Sequence, residues 1–358
     1  MQHASSFFAA IAATLTLFSC SSKTEAPRHS EDALELINSL QTVAEEGKFF
    51  YGHQDALMYG HDWRIDAGET LYDRSDVYEV CGEYAAILGY DLGEIELGGD
   101  RNLDGNSFEQ MYQAAVKNHE RGGILTFSWH PRNPLTGGDA WDVSSDQVVK
   151  SILPGGEKHE MYMGWLKTAA DYLSRFDFPI IFRPLHENTG SWFWWGAGLC
   201  TPEQYIELWH MIYDYLVFER GLNNLVWAYS PNGVISAEKY MLTYPGDDYV
   251  DIMGFDFYNG HAADFIGGMR AQMETILPLC KEHGKILAVS ETGYEGIPDP
   301  KWWTEQLLPA VEGFPAAYVL TWRNAWDRPT HFFGPWKGAE CEEDFVEFYN
   351  SEKTIFTK

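Results

Sequence analysis

The chain has 358 residues, 45% of them hydrophobic and 15% aromatic, so it can bury a large core without cross-links. Its 25 basic and 53 acidic residues give a formal net charge of −28. A negative field of this size repels nucleic acid and anionic lipid headgroups, so we expect neutral partners and no nucleic-acid partner.

The first 20 residues have the composition of an export signal. They contain no Asp, Glu, Lys or Arg and include an apolar run from Phe7 to Phe18, which is too short to span a bilayer but fits a signal-peptide core. The run ends in Leu17-Phe18-Ser19-Cys20, which resembles the lipobox of bacterial lipoproteins and predicts lipidation of Cys20. An ordinary secretory peptide is the alternative, because the segment before the run has no Lys or Arg.

The residues after Cys20 indicate how the protein is attached. Residues 21–35 are predicted as a tether and residues 36–358 as one catalytic domain. No acidic run follows Cys20, so the periplasmic side of the envelope is favoured over the cell surface. We expect a monomer that contacts the membrane only through its lipid anchor. The remaining cysteines are far apart and without CxxC spacing, which predicts isolated thiols at Cys81, Cys200, Cys280 and Cys341.

Short apolar runs alternate along the chain with amphipathic segments of helical period. The runs span 49–53, 85–91, 123–130, 179–187, 225–232, 251–258, 286–292 and 316–324, and the clearest helices span 108–119, 161–174, 202–218 and 264–283. Strands that alternate with helices indicate parallel βαβ units buried on both faces. The eight runs therefore predict an α/β protein, a single (β/α)8 TIM barrel. A doubly wound open sheet is the alternative, but no Gly-rich phosphate loop follows an early strand.

Each run begins with apolar residues and ends with polar or aromatic ones. These end residues are His53, Asp91, His130, Glu187, Asn232, Tyr258, Glu291 and Trp322 with Arg323. In a TIM barrel the carboxyl ends of all strands meet at one mouth, where active sites are built. A single polar residue would indicate only a capped strand end, whereas the whole set predicts a functional site.

Two glutamates stand out in this set, because Glu187 closes the fourth run and Glu291 the seventh. Glycoside hydrolysis needs such a pair: one carboxyl protonates the leaving oxygen, and the other attacks the anomeric carbon or activates water. Aromatic rings supply faces on which pyranoses stack. Four of them, Trp192, Phe193, Trp194 and Trp195, follow Glu187 directly. Consecutive loop residues cannot all point into one cleft, so some of the four must lie in the core.

Five motifs carry a family resemblance. "RPLHENTGSWFWW", "FSWHPRNP", "MGFDFY", "SETGYE" and "YVLTWRNA" resemble the motifs of glycoside hydrolase family 26, in order from about Phe49 to Trp326. That family consists mostly of β-1,4-mannanases on a (β/α)8 barrel, with the acid/base on strand four and the nucleophile on strand seven. The resemblance therefore implies a retaining β-mannanase.

Carried onto this sequence, the resemblance makes Glu187 the acid/base and Glu291 the nucleophile. It places His130 and His186 beside the sugar in the −1 subsite. It also implies that Tyr258 holds the nucleophile by a hydrogen bond.

The same resemblance implies further substrate contacts. Trp322 would lie beneath the −1 ring and Trp192 on the leaving-group side, and Trp141 would add a subsite contact. Arg183 and Asp256 would orient the carboxylates, with a structural ion pair at the barrel rim as the alternative.

No cofactor and no metal are expected. The 12 histidines show no HExxH or His-x-His spacing, and His130 and His186 belong to separate strands among carboxylates and aromatics. No G-x-S-x-G elbow occurs, which disfavours a serine hydrolase.

Mannan, glucomannan or galactomannan is the expected substrate, with mannobiose as one expected product. One alternative is that the protein acts, like other members of the family it resembles, on β-1,3-xylan or mixed-linkage β-glucan. An alternative of a different class is a non-catalytic glycan-binding lipoprotein. Endo and exo action both remain open, because the insertion Asn133 to Met163 can either extend the groove with Trp141 or close its distal end.

Overall fold

The computed structural model describes residues 27–233, 236–260 and 263–358. The predicted signal peptide, Cys20 and the first part of the predicted tether lie outside the described residues. Within the described part of the chain, no helix is both long and apolar enough to cross a membrane.

Eight parallel strands close into a barrel, which confirms the predicted fold class. They are β1 Phe49–Gln54, β2 Ile87–Asp91, β3 Ile124–Trp129, β4 Ile180–Pro184, β5 Leu225–Tyr229, β6 Ile252–Tyr258, β7 Ile286–Gly293 and β8 Ala316–Thr321. Each strand pairs with the next in sequence. Strand β8 returns to β1 through the pair Gly52 and Leu320, so the barrel has no free edge.

Helices surround the barrel. Over the described residues they are α1 Glu31–Glu45, α2 Asp76–Cys81, α3 Phe108–Glu120, α4 Val148–Ile152, α5 His159–Leu173, α6 Pro202–Asp214, α7 Ala237–Met241, α8 Phe265–His283, α9 Leu308–Val311 and α10 Glu342–Tyr349. The four helices predicted from sequence correspond to α3, α5, α6 and α8. Helix α6 begins with a capping box, in which Thr201 and Gln204 bond reciprocally and Pro202 occupies the first turn.

Four short strands lie outside the barrel wall. Tyr59–Gly60 pairs with Trp63–Arg64 in an antiparallel ribbon. Thr354–Thr357 pairs in parallel with β1 and antiparallel with Tyr84–Ala85, which attaches the C-terminal segment to the barrel.

Helix α1 covers the N-terminal end of the barrel. Ser30 caps it by accepting a hydrogen bond from the Ala33 N–H, and its buried Leu40 packs with inward-facing strand residues such as Ile181. Just before the helix, Arg28 donates to the carboxylate of Asp251 at 2.8 Å. The last five residues of the predicted tether, 31–35, therefore lie in α1, and the chain is attached to the barrel from residue 28.

A bulge in β7 sets the direction of its last residues. Val289 packs in the core between barrel and helices, and in a regular strand Glu291 would face the same side. The pairing with β6 instead shifts between Val289 and Glu291, so that Glu291 lies opposite Asp256. The extra residue, Ser290, therefore turns Glu291 toward the inside of the barrel.

The structure also describes the cysteines and the insertion after the third strand. Cys81, Cys200, Cys280 and Cys341 are all free thiols, as the sequence predicted. The insertion predicted over Asn133 to Met163 is partly helical, because it contains α4 and the first turn of α5.

Candidate active site

The loop after β4 presents Glu187 at the mouth of the barrel. The sequence suggested that Glu187 closes the strand. The strand ends at Pro184, however, and Glu187 lies in the turn beyond it. Leu185 and Glu187 both have left-handed backbones, with φ of 50° and 53°. Such conformations cost energy for residues with a side chain and are found where the surroundings enforce them. Here the Glu187 N–H donates to the carbonyl of Ser230 at 2.8 Å, which ties the turn to the loop after β5.

Two N–H donors hold the carboxyl group of Glu187. Trp192 Nε1 donates to Oε2 at 2.7 Å, and Asn232 Nδ2 donates to Oε1 at 3.0 Å. Burial and the negative charge of Glu291 raise the pKa of Glu187 above its ordinary value, against the opposing effect of the two donors. Glu187 therefore retains its proton more readily than an ordinary glutamic acid, as a general acid must.

Glu291 is buried and bonded on both oxygens. Tyr258 donates its hydroxyl to Oε2 at 2.7 Å, and Arg183 donates to Oε1. Burial and the charge of Glu291 raise the pKa of Tyr258 well above its ordinary value, so the phenol remains a donor. Two donors, one on each oxygen, therefore fix the orientation of the Glu291 carboxyl group, as an attacking group requires.

Arg183 connects the carboxylates at the centre of the barrel. It donates to Asp256 at 2.9 Å and to the hydroxyl of Ser230 at 3.1 Å, in addition to its bond with Glu291. Ser290 donates to the other oxygen of Asp256 at 2.8 Å. Burial works against the positive charge of Arg183, but Asp256 and Glu291 raise its pKa above the ordinary value, so the guanidinium stays charged.

The distance between the two glutamates matches one class of mechanism. One oxygen of Glu187, one of Glu291 and one of Asp256 all lie within 4.8 Å of one another. Carboxyl groups about 5–5.5 Å apart are typical of retaining glycosidases, against roughly 6.5–9.5 Å for inverting ones. The pair is therefore spaced for direct attack on the sugar.

The same three carboxylates are close enough to hold a metal ion in geometric terms. Arg183, however, already places a buried positive charge on both Asp256 and Glu291. A divalent cation at this point would be repelled by the guanidinium, so the donor set fits an arginine and not a metal.

His130 and His186, which the resemblance places beside the −1 sugar, contact each other at the mouth. Their Nε2 atoms are 3.1 Å apart, and His130 Nδ1 bonds to Asp91 at 2.7 Å. Burial lowers the pKa of both rings, but Asp91 more than offsets this and raises that of His130, whereas the pKa of His186 falls well below its ordinary value. Asp91 therefore favours the charged form of His130, whereas burial favours the neutral form of His186.

The aromatic segment divides between cleft and core. Trp192 is 38% exposed, whereas Phe193, Trp194 and Trp195 are buried, which agrees with the expectation that not all four could face the cleft. Trp141 is 47% exposed, and its ring stacks on that of His130 with centroids 5.1 Å apart.

The structure also places Trp322, which the resemblance put beneath the −1 ring, and residues that the sequence had not assigned to the site. Trp322 directly follows β8, is partly buried, and donates its backbone N–H to Thr292 beside Glu291. Asn232 and Asp91 contact Glu187 and His130 and belong to the site, although the sequence marked them only as polar strand ends. Ser290 was not predicted, because no sequence pattern indicated the bulge.

The comparisons with known proteins agree with this geometry. The chain matches the family model for glycosyl hydrolase family 26 over residues 26–331. Its fold and paired carboxylates define a glycoside hydrolase, and the chain belongs to glycosyl hydrolase family 26.

Named relatives are similar to this chain over most of its length. A family 26 β-mannanase from Bacteroides ovatus superposes with a TM-score of 0.87 at 42% identity, covering 91% of this chain and 95% of its own. An endo-β-1,4-mannanase domain from Bacillus sp. JAMB-750 superposes with a TM-score of 0.83 at 33% identity, covering 93% of each chain. The mannan endo-1,4-beta-mannosidase of Bifidobacterium adolescentis is 32% identical over 96% of this chain, which spans 37% of that relative's length.

Replacement of Glu187 by alanine tests its assignment. We expect kcat/KM on substrates with poor, sugar-type leaving groups to fall by about 10²–10⁴-fold, because their departing oxygen needs a proton. On aryl glycosides with acidic phenols, the rate of the glycosylation step should fall much less. This rate is measured by the pre-steady-state release of phenol. Equal losses on both substrate types would assign Glu187 a different role.

Proposed function

We propose that the protein is a retaining β-1,4-mannanase that hydrolyses mannan, glucomannan or galactomannan. The observation that carries this proposal is the pair of Glu187 and Glu291, with carboxyl oxygens within 4.8 Å of each other at the mouth of a family 26 barrel. The relatives support the substrate, since they are mannanases from several bacteria.

The contacts of the two glutamates support different roles for them in the reaction. Glu291 attacks the anomeric carbon while Glu187 gives its proton to the leaving oxygen. Formation of the glycosyl-enzyme removes the negative charge of Glu291, which was one cause of the raised pKa of Glu187. Glu187 then ionises more easily and takes a proton from the incoming water. Arg183 and Tyr258 hold Glu291 in place for the attack.

The rest of the mouth suits a neutral sugar. His186 directly precedes Glu187, and its Nε2 is 3.1 Å from that of His130, so the two rings lie beside the proposed acid/base. Trp322, next to Glu291 in the barrel, supplies an apolar face for the ring at the −1 subsite.

Trp141 supports internal cleavage of the polymer. Its loop is held rigid by Asn133, whose side chain accepts from Leu135 and Thr136 and donates to the carbonyl of Asp142. The exposed ring stacks on His130 and prolongs the aromatic surface of the cleft. The insertion thus extends the groove, which favours endo action over release of mannobiose from chain ends.

A substrate panel tests the function. We expect the purified protein to release reducing sugar from galactomannan and glucomannan much faster than from β-1,3-xylan or mixed-linkage β-glucan. The first product seen by proton NMR should be the β-anomer, and the viscosity of galactomannan should fall early. Glu291→Ala is the matched control and should be inactive. Preferential cleavage of xylan or glucan, an α-anomer as first product, or binding without turnover would refute the proposal.

We further propose that Cys20 anchors a monomeric enzyme to the bacterial cell envelope on its periplasmic side. The lipobox-like sequence before Cys20 supports the anchor. Arg28 and Ser30 attach the start of the described chain near Asp251 and Asn223, which precede β6 and β5 at the N-terminal end of the barrel. The mouth is at the opposite end, so a membrane-anchored enzyme would present its cleft away from the lipid.

Substitution of Cys20 by alanine tests the anchor. We expect the variant to leave the membrane fraction or to accumulate unprocessed, while kcat/KM per folded molecule is unchanged because the site is far from residue 28. Mass spectrometry of the mature N-terminus of the wild-type protein provides the control. A soluble wild-type protein beginning at another residue would contradict the proposal.

A further inference from the structure

Gly190 lies directly beneath the ring of Trp192. A Cβ built on Gly190 would clash with three carbons of the Trp192 indole, far inside van der Waals contact. The φ of Gly190 is not in the left-handed region, so its backbone alone does not call for glycine. The absence of a side chain at Gly190 therefore allows the Trp192 ring to pack directly against the backbone.

The backbone of Gly190 is fixed, so it cannot yield to a larger side chain. Its N–H donates to the carbonyl of Glu187 at 2.9 Å, and its carbonyl accepts from the N–H of Ala197 at 2.7 Å. A Cβ in this position would have to displace the Trp192 ring, because the ring is 38% exposed whereas the Gly190 backbone is hydrogen-bonded on both sides.

The position of this ring matters because of its hydrogen bond. Trp192 Nε1 is 2.7 Å from Oε2 of Glu187, and Asn232 holds the other oxygen at 3.0 Å. Two N–H donors, one on each oxygen, set the plane of the carboxyl group and the direction in which its proton points. They also stabilise the ionised form that Glu187 adopts as a base.

We propose that Gly190 is a positioning residue for the acid/base: its missing side chain seats the Trp192 indole so that the indole N–H stays on the Glu187 carboxyl group. The inference rests on the role of Glu187 in the proposed function and adds the residue that controls its orientation. Trp192 thereby acts on Glu187 as a hydrogen-bond donor in addition to offering a surface to the leaving sugar.

An NMR titration tests the contact without relying on activity. The indole N–H signal of Trp192, assigned by its absence in Trp192→Phe, should shift with pH in the wild-type protein, and Glu187→Gln should abolish that shift. In Gly190→Ala we expect the shift to be lost, because the ring no longer contacts Glu187. Gly164→Ala is the matched control, since its added methyl group meets open space on α5. A full titration of the indole signal in Gly190→Ala would overturn the proposal.

The pH dependence of kcat/KM on a mannan oligosaccharide supplies the functional readout. Loss of an N–H donor should raise the pKa of Glu187 and move the basic limb of the profile upward by about one pH unit in both Gly190→Ala and Trp192→Phe. Because both substitutions remove one contact, the double variant should shift no further than Trp192→Phe alone. A uniform loss of activity at every pH, or additive effects in the double variant, would contradict the proposal. Absence of mannanase activity in the wild-type protein would instead refute the proposed function and leave the NMR result to decide the contact.

Discussion

The active site depends on the ion pairs that the buried guanidinium of Arg183 forms with two carboxylates. Arg183 pairs with both Asp256 and Glu291 in the interior of the barrel, where either carboxylate alone would be costly to bury. The contact with Glu291 also fixes the position of its carboxyl group. The charge of Glu291 in turn contributes to the raised pKa of Glu187, which lies within 4.8 Å of it. Acid and nucleophile therefore derive their different properties from a single arrangement of charges.

Backbone irregularities bring the two glutamates to this arrangement. Ser290 is an extra residue in β7 that turns Glu291 from the helix side of the strand to the interior. After the end of β4, the left-handed conformations of Leu185 and Glu187 direct the Glu187 side chain to the mouth. Both features are locally unfavourable and are held by neighbouring strands, which is typical of residues placed for function.

The barrel could be predicted from the sequence because its signal is repeated. Eight apolar runs that end in polar residues match β1 to β8, and the closure from β8 to β1 follows from the fold class. Glu187 and Glu291 could be selected because carboxyl groups at strand ends are few and aromatic residues follow one of them.

Other features depend on contacts that have no local signature. The bonds of Asn232 to Glu187 and of Asp91 to His130 join loops that are distant in sequence. The start of α1 at Glu31, inside the predicted tether, is supported by the packing of Leu40 into the barrel and by Arg28 on Asp251. Tertiary contacts of this kind override a polar composition that alone suggests a linker.

The free energy of unfolding of Arg183→Met tests the central claim most directly. Removing the cation leaves two buried carboxylates uncompensated, so the account predicts a loss of about 3–5 kcal/mol in chemical denaturation. Adding Asp256→Asn should recover part of this loss, because it removes one of the unpaired charges while keeping a hydrogen-bonding side chain beside Ser290. A loss below about 1 kcal/mol, the range of exposed ion pairs, or no recovery in the double variant would show that Arg183 does not hold the carboxylates together.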